Sequence, residues 1–212
     1  MKPAIVCSTV LCTLLALLAA CSPTRTAGNG SEITNGGISG TAIGPSGLPV
    51  DGTHALAAIY SADYRPDSVG GTAETTMIAA DGTFRFTPPE NSYNLFIWDT
   101  SSGLGAYLPA LPADTVLGNI SLSETGIIAV TDFPSTAVGE STYELSIPGS
   151  PYFYRVQGDE PVSVPLLPKG EYQIQIRVFL QDIVGDEPIF NDILKTINVD
   201  PAVTDTVLLE IP

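Results

Sequence analysis

Apolar and polar positions alternate most cleanly in two stretches, NSYNLFIWD (residues 91–99) and GEYQIQIRV (residues 170–178). Successive side chains of a strand point to opposite faces. Tyr93, Leu95 and Ile97 therefore form one row and Tyr172, Ile174 and Ile176 a matching row, the expected core set of each strand. The positions in between differ. One copy has Asn94, Phe96 and Trp98 where the other has Gln173, Gln175 and Arg177. The polar copy predicts that this second row faces water, which places Phe96 and Trp98 on an outer face, where large apolar side chains need a cause. Three causes fit the sequence: packing against the second half of the chain, docking of another protein, or a flat platform that stacks on sugar rings. Tyr60, Tyr64 and Tyr107 could widen such a platform.

Elsewhere turn signals recur about every 8–12 residues with no convincing amphipathic helix between them, which predicts an all-β sandwich. The clearest hairpin signal is TTMIAADGTFRF, where Asp81-Gly82 supplies the positive φ angles of a tight turn. A hairpin there puts Met77, Ala79, Phe84 and Phe86 on one face and Ala80 and Arg85 on the other.

The stretch from Ile38 to Asp99 resembles a carboxypeptidase regulatory-like domain, a transthyretin-like β-sandwich. The resemblance rests on Ile38, Gly40, Gly47, Pro49, Val50, Gly52, Asp81, Gly82, Phe84, Phe86, Tyr93 and Leu95. The chain departs from that pattern at TPPENSY, where the family prefers Leu-Pro-x-Gly-x-Tyr. In the second half that ending is intact at Leu167, Pro168, Gly170, Tyr172, Ile174 and Ile176, while the preceding hairpin is reduced to Gly158-Asp159-Glu160. The segments that follow also align, LGAYLPALPADTVLGNISL (104–122) with DILKTINVDPAVTDTVLLEI (192–211). Two tandem sandwich units are expected, 37–122 and 123–212, with one fused sandwich as the alternative. The resemblance implies a non-catalytic domain, since such modules accompany peptidases without being their catalytic part.

The N-terminus changes where this fold is expected to work. Lys2 and the apolar run from Ala4 to Leu18 read as a leader, too short for a bilayer span of about 20 residues. The Leu18-Ala19-Ala20-Cys21 that closes it resembles a bacterial lipobox, which implies cleavage before Cys21 and acylation of that residue. Residues 1–20 are thus the expected signal peptide, and the polar, Gly-rich 21–36 a flexible tether. Ser22 after the acylated Cys is compatible with outer-membrane sorting in a two-membrane cell. Cys7 and Cys12 leave with the leader, so no disulfide is expected in the mature chain.

Charge and chemistry narrow the function further. The net charge of −15 becomes −16 when Lys2 is lost. That sign repels nucleic acid and anionic headgroups, so the expected partners are the membrane through the anchor and an envelope protein or polysaccharide. The single histidine, His54, stands at the start of a predicted strand, and no Gly-x-Ser-x-Gly elbow presents a nucleophile beside it. Asp182, Asp186, Glu187 and Asp192 crowd one loop, but without the regular spacing of a calcium site. No cofactor, metal or catalytic residue is expected. The reading is an envelope lipoprotein acting as a binding or structural module. A carbohydrate-binding module using Phe96 and Trp98 is the alternative, and an enzyme of unrecognised type the third.

Overall fold

The structure is a computed structural model and describes residues 37–67, 70–88, 92–131, 142–157, 161–180, 189–201 and 205–208. Every regular element among them is a strand. The first half holds β1 (Ile38–Ile43), β2 (Ala55–Ser61), β3 (Ala73–Met77), β4 (Thr83–Phe86), β5 (Ser92–Asp99), β6 (Leu104–Pro112), β7 (Val116–Ser121) and β8 (Ser123–Glu124). The second holds β9 (Gly126–Thr131), β10 (Thr142–Ser146), β11 (Phe153–Gln157), β12 (Val162–Leu167), β13 (Gly170–Leu180), β14 (Ile189–Val199) and β15 (Asp205–Leu208).

Strand order repeats between the halves. In the first, a β4-β1-β7 sheet faces a β3-β2-β5-β6-β8 sheet; in the second, β12-β9-β15 accompanies β11-β10-β13-β14. In both, a strand near the end of the half pairs parallel with its first strand, β7 with β1 and β15 with β9. The matched strands β5 and β13 thus occupy the same place in each half. The described residues of both halves nevertheless belong to one compact unit, and their regular elements are all strands.

Two hydrophobic cores explain the patterning. One lies inside the first half and takes Ile38, Phe84, Phe86, Tyr93, Leu95 and Ile97. The other is the core of the second half, with Tyr143, Leu145, Tyr172, Ile174 and Ile176 among its members, and it extends onto the outer face of the first half through Ala58, Tyr60, Phe96 and Trp98. The β2 and β5 strands are therefore covered on both faces, which is why Ala55–Tyr60 and Leu95–Trp98 read as nearly unbroken apolar runs instead of alternating ones.

The hairpin expected at 75–86 is corrected. The β3 strand pairs with β2, whereas β4 pairs with β1 in the opposite sheet, so residues 78–82 cross from one sheet to the other. A crossing of that kind breaks the alternation a hairpin would keep. Phe84 and Phe86 do face the core, but Met77 is 59% exposed, Ala79 is exposed, and the side chain filling the gap between the sheets is Ile78. Asp81 and Gly82 still make the turn. Gly82 has φ +79, and the Asp81 carboxylate accepts from Thr83 Oγ1 at 2.6 Å and from Thr83 N at 3.0 Å. Those hydrogen bonds hold the Asp81 carboxyl below its ordinary pKa.

Candidate functional site

The aromatic side of β5 is where the two halves meet. Its outward row is Asn94, Phe96 and Trp98, and each makes a defined contact with the second half. Phe96 lies at the centre. It stacks on Trp98 at 5.2 Å between ring centroids and on its cross-strand partner Tyr107 at 4.7 Å. Tyr107 in turn stacks on Tyr172 of β13 at 4.7 Å, while Tyr60 and Tyr152 meet Phe96 edge-on at 5.8 and 6.2 Å. Offset and edge contacts at these spacings are the favoured geometries of aromatic pairs.

Polar atoms at the rim are paired across the same junction. Trp98 Nε1 donates to Leu166 O at 3.0 Å, and Tyr152 OH donates to the same carbonyl at 2.9 Å. Leu166 reaches that position through a left-handed backbone at φ +56, inside an irregularity of the β12–β9 pairing. Asn94 Nδ2 donates to Gly149 O at 3.0 Å, its Oδ1 accepts from Ala110 N at 3.0 Å, and Gly149 N donates to Tyr64 O at 3.1 Å. Gly149 has φ +68, and a Cβ added there would collide with Asn94 Nδ2, so glycine is required on both counts. Gly170 plays a similar part, because a Cβ on it would run into the Tyr107 ring.

The expected outer aromatic face is thus real with respect to the first core, but it is not open. Phe96 is 1% and Trp98 8% exposed. Tyr60, Tyr64 and Tyr107 belong to the same packed cluster and do not extend an exposed platform. Phe96 and Trp98 therefore present no open ring face, while Tyr64 and Tyr107 are half-buried. The expectation that Gln173, Gln175 and Arg177 all lie in water is corrected at Gln175, which is 7% exposed and donates through Nε2 to Asp192 Oδ2 at 3.2 Å. Gln173 is exposed and Arg177 half-buried.

Other candidate residues fall apart from this junction. His54 is exposed in the turn before β2, where its carbonyl accepts from Thr100 N and Oγ1. Asp192 is held in an ion pair by Arg177 Nε at 3.0 Å. Cys21, Asp182, Asp186, Glu187 and the Gly158-Asp159-Glu160 turn lie outside the described residues. Among the described residues no group of three acidic, His or Cys side chains is arranged to hold a metal ion. The contacts missed in the sequence are those of Asn94, Gly149 and Leu166. The Gly149 in IPGSPY is a readable turn signal, but nothing local shows that its carbonyl meets Asn94.

Burial also sets the chemistry of the tyrosines. It pushes the Tyr60 phenol from its ordinary 10.0 up to about 12, with a smaller contribution from Tyr64. Burial likewise raises Tyr172 and Tyr152. A phenol whose pKa is higher in the folded state adds stability that is complete below pH 10.0 and is lost as the pH rises through about 12. An ultraviolet titration should therefore show these tyrosines ionising late and steeply, together with loss of the β-sheet circular dichroism signal. Ionisation of the cluster near pH 10.0 with the fold intact would contradict this packing.

No protein-family model matches the chain, and no curated protein matches it. Solved structures similar to it include these two. One is described as the Bacillus anthracis TIE protein, with 10% identity over 82% of this chain and a TM-score of 0.30; the chain spans 33% of that protein's length. The other is a DUF3823 family protein from Bacteroides ovatus, with 13% identity over 79% of this chain and all of that one, also at a TM-score of 0.30.

Proposed function

We propose that this chain is a cell-envelope lipoprotein, held to the membrane by acyl groups on Cys21, whose β-sandwich halves act as a non-catalytic binding or structural module of the carboxypeptidase regulatory-like kind. The observation that carries the reading is the Leu18-Ala19-Ala20-Cys21 motif at the end of the apolar run Ala4–Leu18, followed by a polar tether. Each buried CH₂ of an acyl chain contributes about 0.8 kcal/mol, and stable anchoring takes more than one chain. The junction built on Phe96 and Trp98 supports the structural side of the reading. Aromatic stacking and hydrogen bonds at its rim favour a fixed relation between the halves over beads on a string, which suits a module displayed on a short tether.

The anchor gives the test. Cys21→Ser should move the protein from the membrane pellet to the soluble fraction and abolish incorporation of a labelled fatty acid. If the variant stays with the membranes after a high-salt wash, the lipobox reading is wrong.

A further inference from the structure

The two halves differ at one edge, where consecutive strands belong to opposite sheets: β3 and β4 in the first half, β11 and β12 in the second. Matching Trp98 with Arg177 aligns these strands through their pairings. Leu56 then corresponds to Glu144 and Met77 to Arg155. Counting on, Ala79 matches Gln157, Thr83 matches Pro161, and the buried Phe84 and Phe86 match the buried Val162 and Val164.

In the first half this edge is closed. Ala79 N donates to Thr83 O at 2.9 Å, Gly82 N donates to Ala79 O at 2.8 Å, and Ile78, itself buried, fills the gap between the sheets. In the second half the edge is open. Gln157 and Pro161 line a pocket of about 440 Å³ together with Tyr154, Arg155, Val156 and Val162. Among the described residues Gln157 N makes no bond to Pro161 O. The volume lies within the roughly 300–1,000 Å³ of sites that hold ligands.

The shape of the pocket suits an extended chain. Four successive residues of β11 form one wall, which at about 3.4 Å per residue is about 14 Å long. β11 is also the edge of its sheet. Ile147 N donates to Tyr152 O at 3.1 Å, and bonded and non-bonded pairs alternate along an antiparallel ladder. Tyr154 and Val156 therefore bond to β10, while Phe153, Arg155 and Gln157 turn N–H and C=O towards the free edge. Pro161 and Pro165 deprive the β12 side of donors, which leaves β11 as the strand to extend.

We propose that this groove is a peptide-binding site, in which an extended segment of a partner protein adds to the free edge of β11, its alternate aliphatic side chains entering between β11 and β12 and basic ones pointing to solvent. Strand addition takes its affinity from main-chain hydrogen bonds and its specificity from pockets for alternate side chains. The aliphatic preference follows from the Val156, Pro161 and Val162 walls, and from Ile78, which fills the matching gap in the first half. The basic preference follows from charge. Arg155 is already paired with Glu144, Asp159 and Glu160 follow β11 in the sequence, and the whole chain carries −15. The proposal rests on the binding-module reading but not on the anchor, so the chain with Cys21→Ser tests it separately.

The experiment is fluorescence anisotropy of a labelled peptide, Lys-Ile-Lys-Val-Lys-Ile-Lys, titrated with the full chain carrying Cys21→Ser. Saturable binding with a Kd below about 1 mM is expected. The same peptide with Pro in place of its central Val keeps the charge and should not bind, and the version with Glu for every Lys should bind at least tenfold more weakly. On the protein, Gln157→Pro removes an edge N–H without touching the β10 ladder. It should abolish binding with the melting temperature nearly unchanged, while Gln157→Ala binds as the wild type does. Peptide binding should also slow amide exchange at Arg155 and Gln157 of the unmutated chain, which decides the matter if Gln157→Pro does not fold. The proposal is overturned by a lack of saturable binding, by equal affinity for the Pro or Glu peptide, by a folded Gln157→Pro chain that still binds, or by exchange at Arg155 and Gln157 that the peptide leaves unaltered.

Discussion

Replacing Phe96 by Gln and Trp98 by Arg is expected to lower the stability of the full chain by at least about 3–5 kcal/mol, the cost of deleting a single well-buried large side chain. The change writes the residues of β13 onto β5 and leaves Tyr93, Leu95 and Ile97 in the first core. At an exposed face it would shift stability by about 0.5 kcal/mol. Phe96 is at 1% exposure and touches Tyr60, Trp98, Tyr107, Tyr152 and Tyr172, so the new Gln would desolvate an amide among rings. The Arg at 98 would remove the donor to Leu166 O and bring a guanidinium to the same place. The two losses are not additive, because the rings stack on each other. Urea unfolding should show the midpoint falling steeply with the m-value unchanged. Trp98→Phe separates the contributions. It keeps an aromatic ring, removes the indole N–H, and should cost about 1 kcal/mol for the lost hydrogen bond. A double variant that melts within 1 °C of the wild type would mean that the β5 row is not packed as described.

The core row of each β5-type strand is legible in the sequence because alternation is a local property. Tyr93, Leu95 and Ile97, and their counterparts Tyr172, Ile174 and Ile176, are all buried. The correspondence between the halves is legible for the same reason, and the shared strand order agrees with it. What covers the other face is not local. Phe96 is enclosed by Tyr152 and Tyr172, some 55 to 75 residues further on, and no pattern within β5 announces them. The crossing after Met77 was hidden too. Asp81-Gly82 specifies a reversal of the chain equally well whether the two strands pair with each other or lie in different sheets. That choice is made by β1 and β2, which claim β4 and β3 respectively. Gln175 follows the same logic. Its burial depends on Asp192, which reaches it only in the register that pairs Arg177 with Asp192 across β13 and β14. Moving that register by one residue would turn Asp192 and the rest of β14 to the opposite face. The chemistry of the second face is thus written in four strands at once and becomes readable only when they are aligned.

A fragment ending at Leu122 should respond to the same double change in the opposite direction. Cut there, the first half keeps its own core intact, including Ile38, Phe86, Leu95, Ile97 and Leu122 itself. It loses everything that covers Tyr60, Phe96, Trp98 and Tyr107. Each large side chain of this kind forgoes about 1.5–3 kcal/mol when it is left in water, so the uncovered β5 face becomes a contiguous apolar patch of the sort that drives association. The wild-type fragment is therefore expected to show β-sheet circular dichroism and yet to elute as oligomers or precipitate as its concentration rises. With Phe96→Gln and Trp98→Arg it should become a soluble monomer, because the face then carries the polar residues of β13 and the core beneath is untouched. Light scattering coupled to size exclusion, run on both fragments and on both full-length chains, gives a reversal of sign that a general loss of stability cannot imitate. A wild-type fragment that is monomeric would show that the aromatic row does not need its cover. If both fragments are unfolded, the first core is not self-sufficient, and the two halves stand only together.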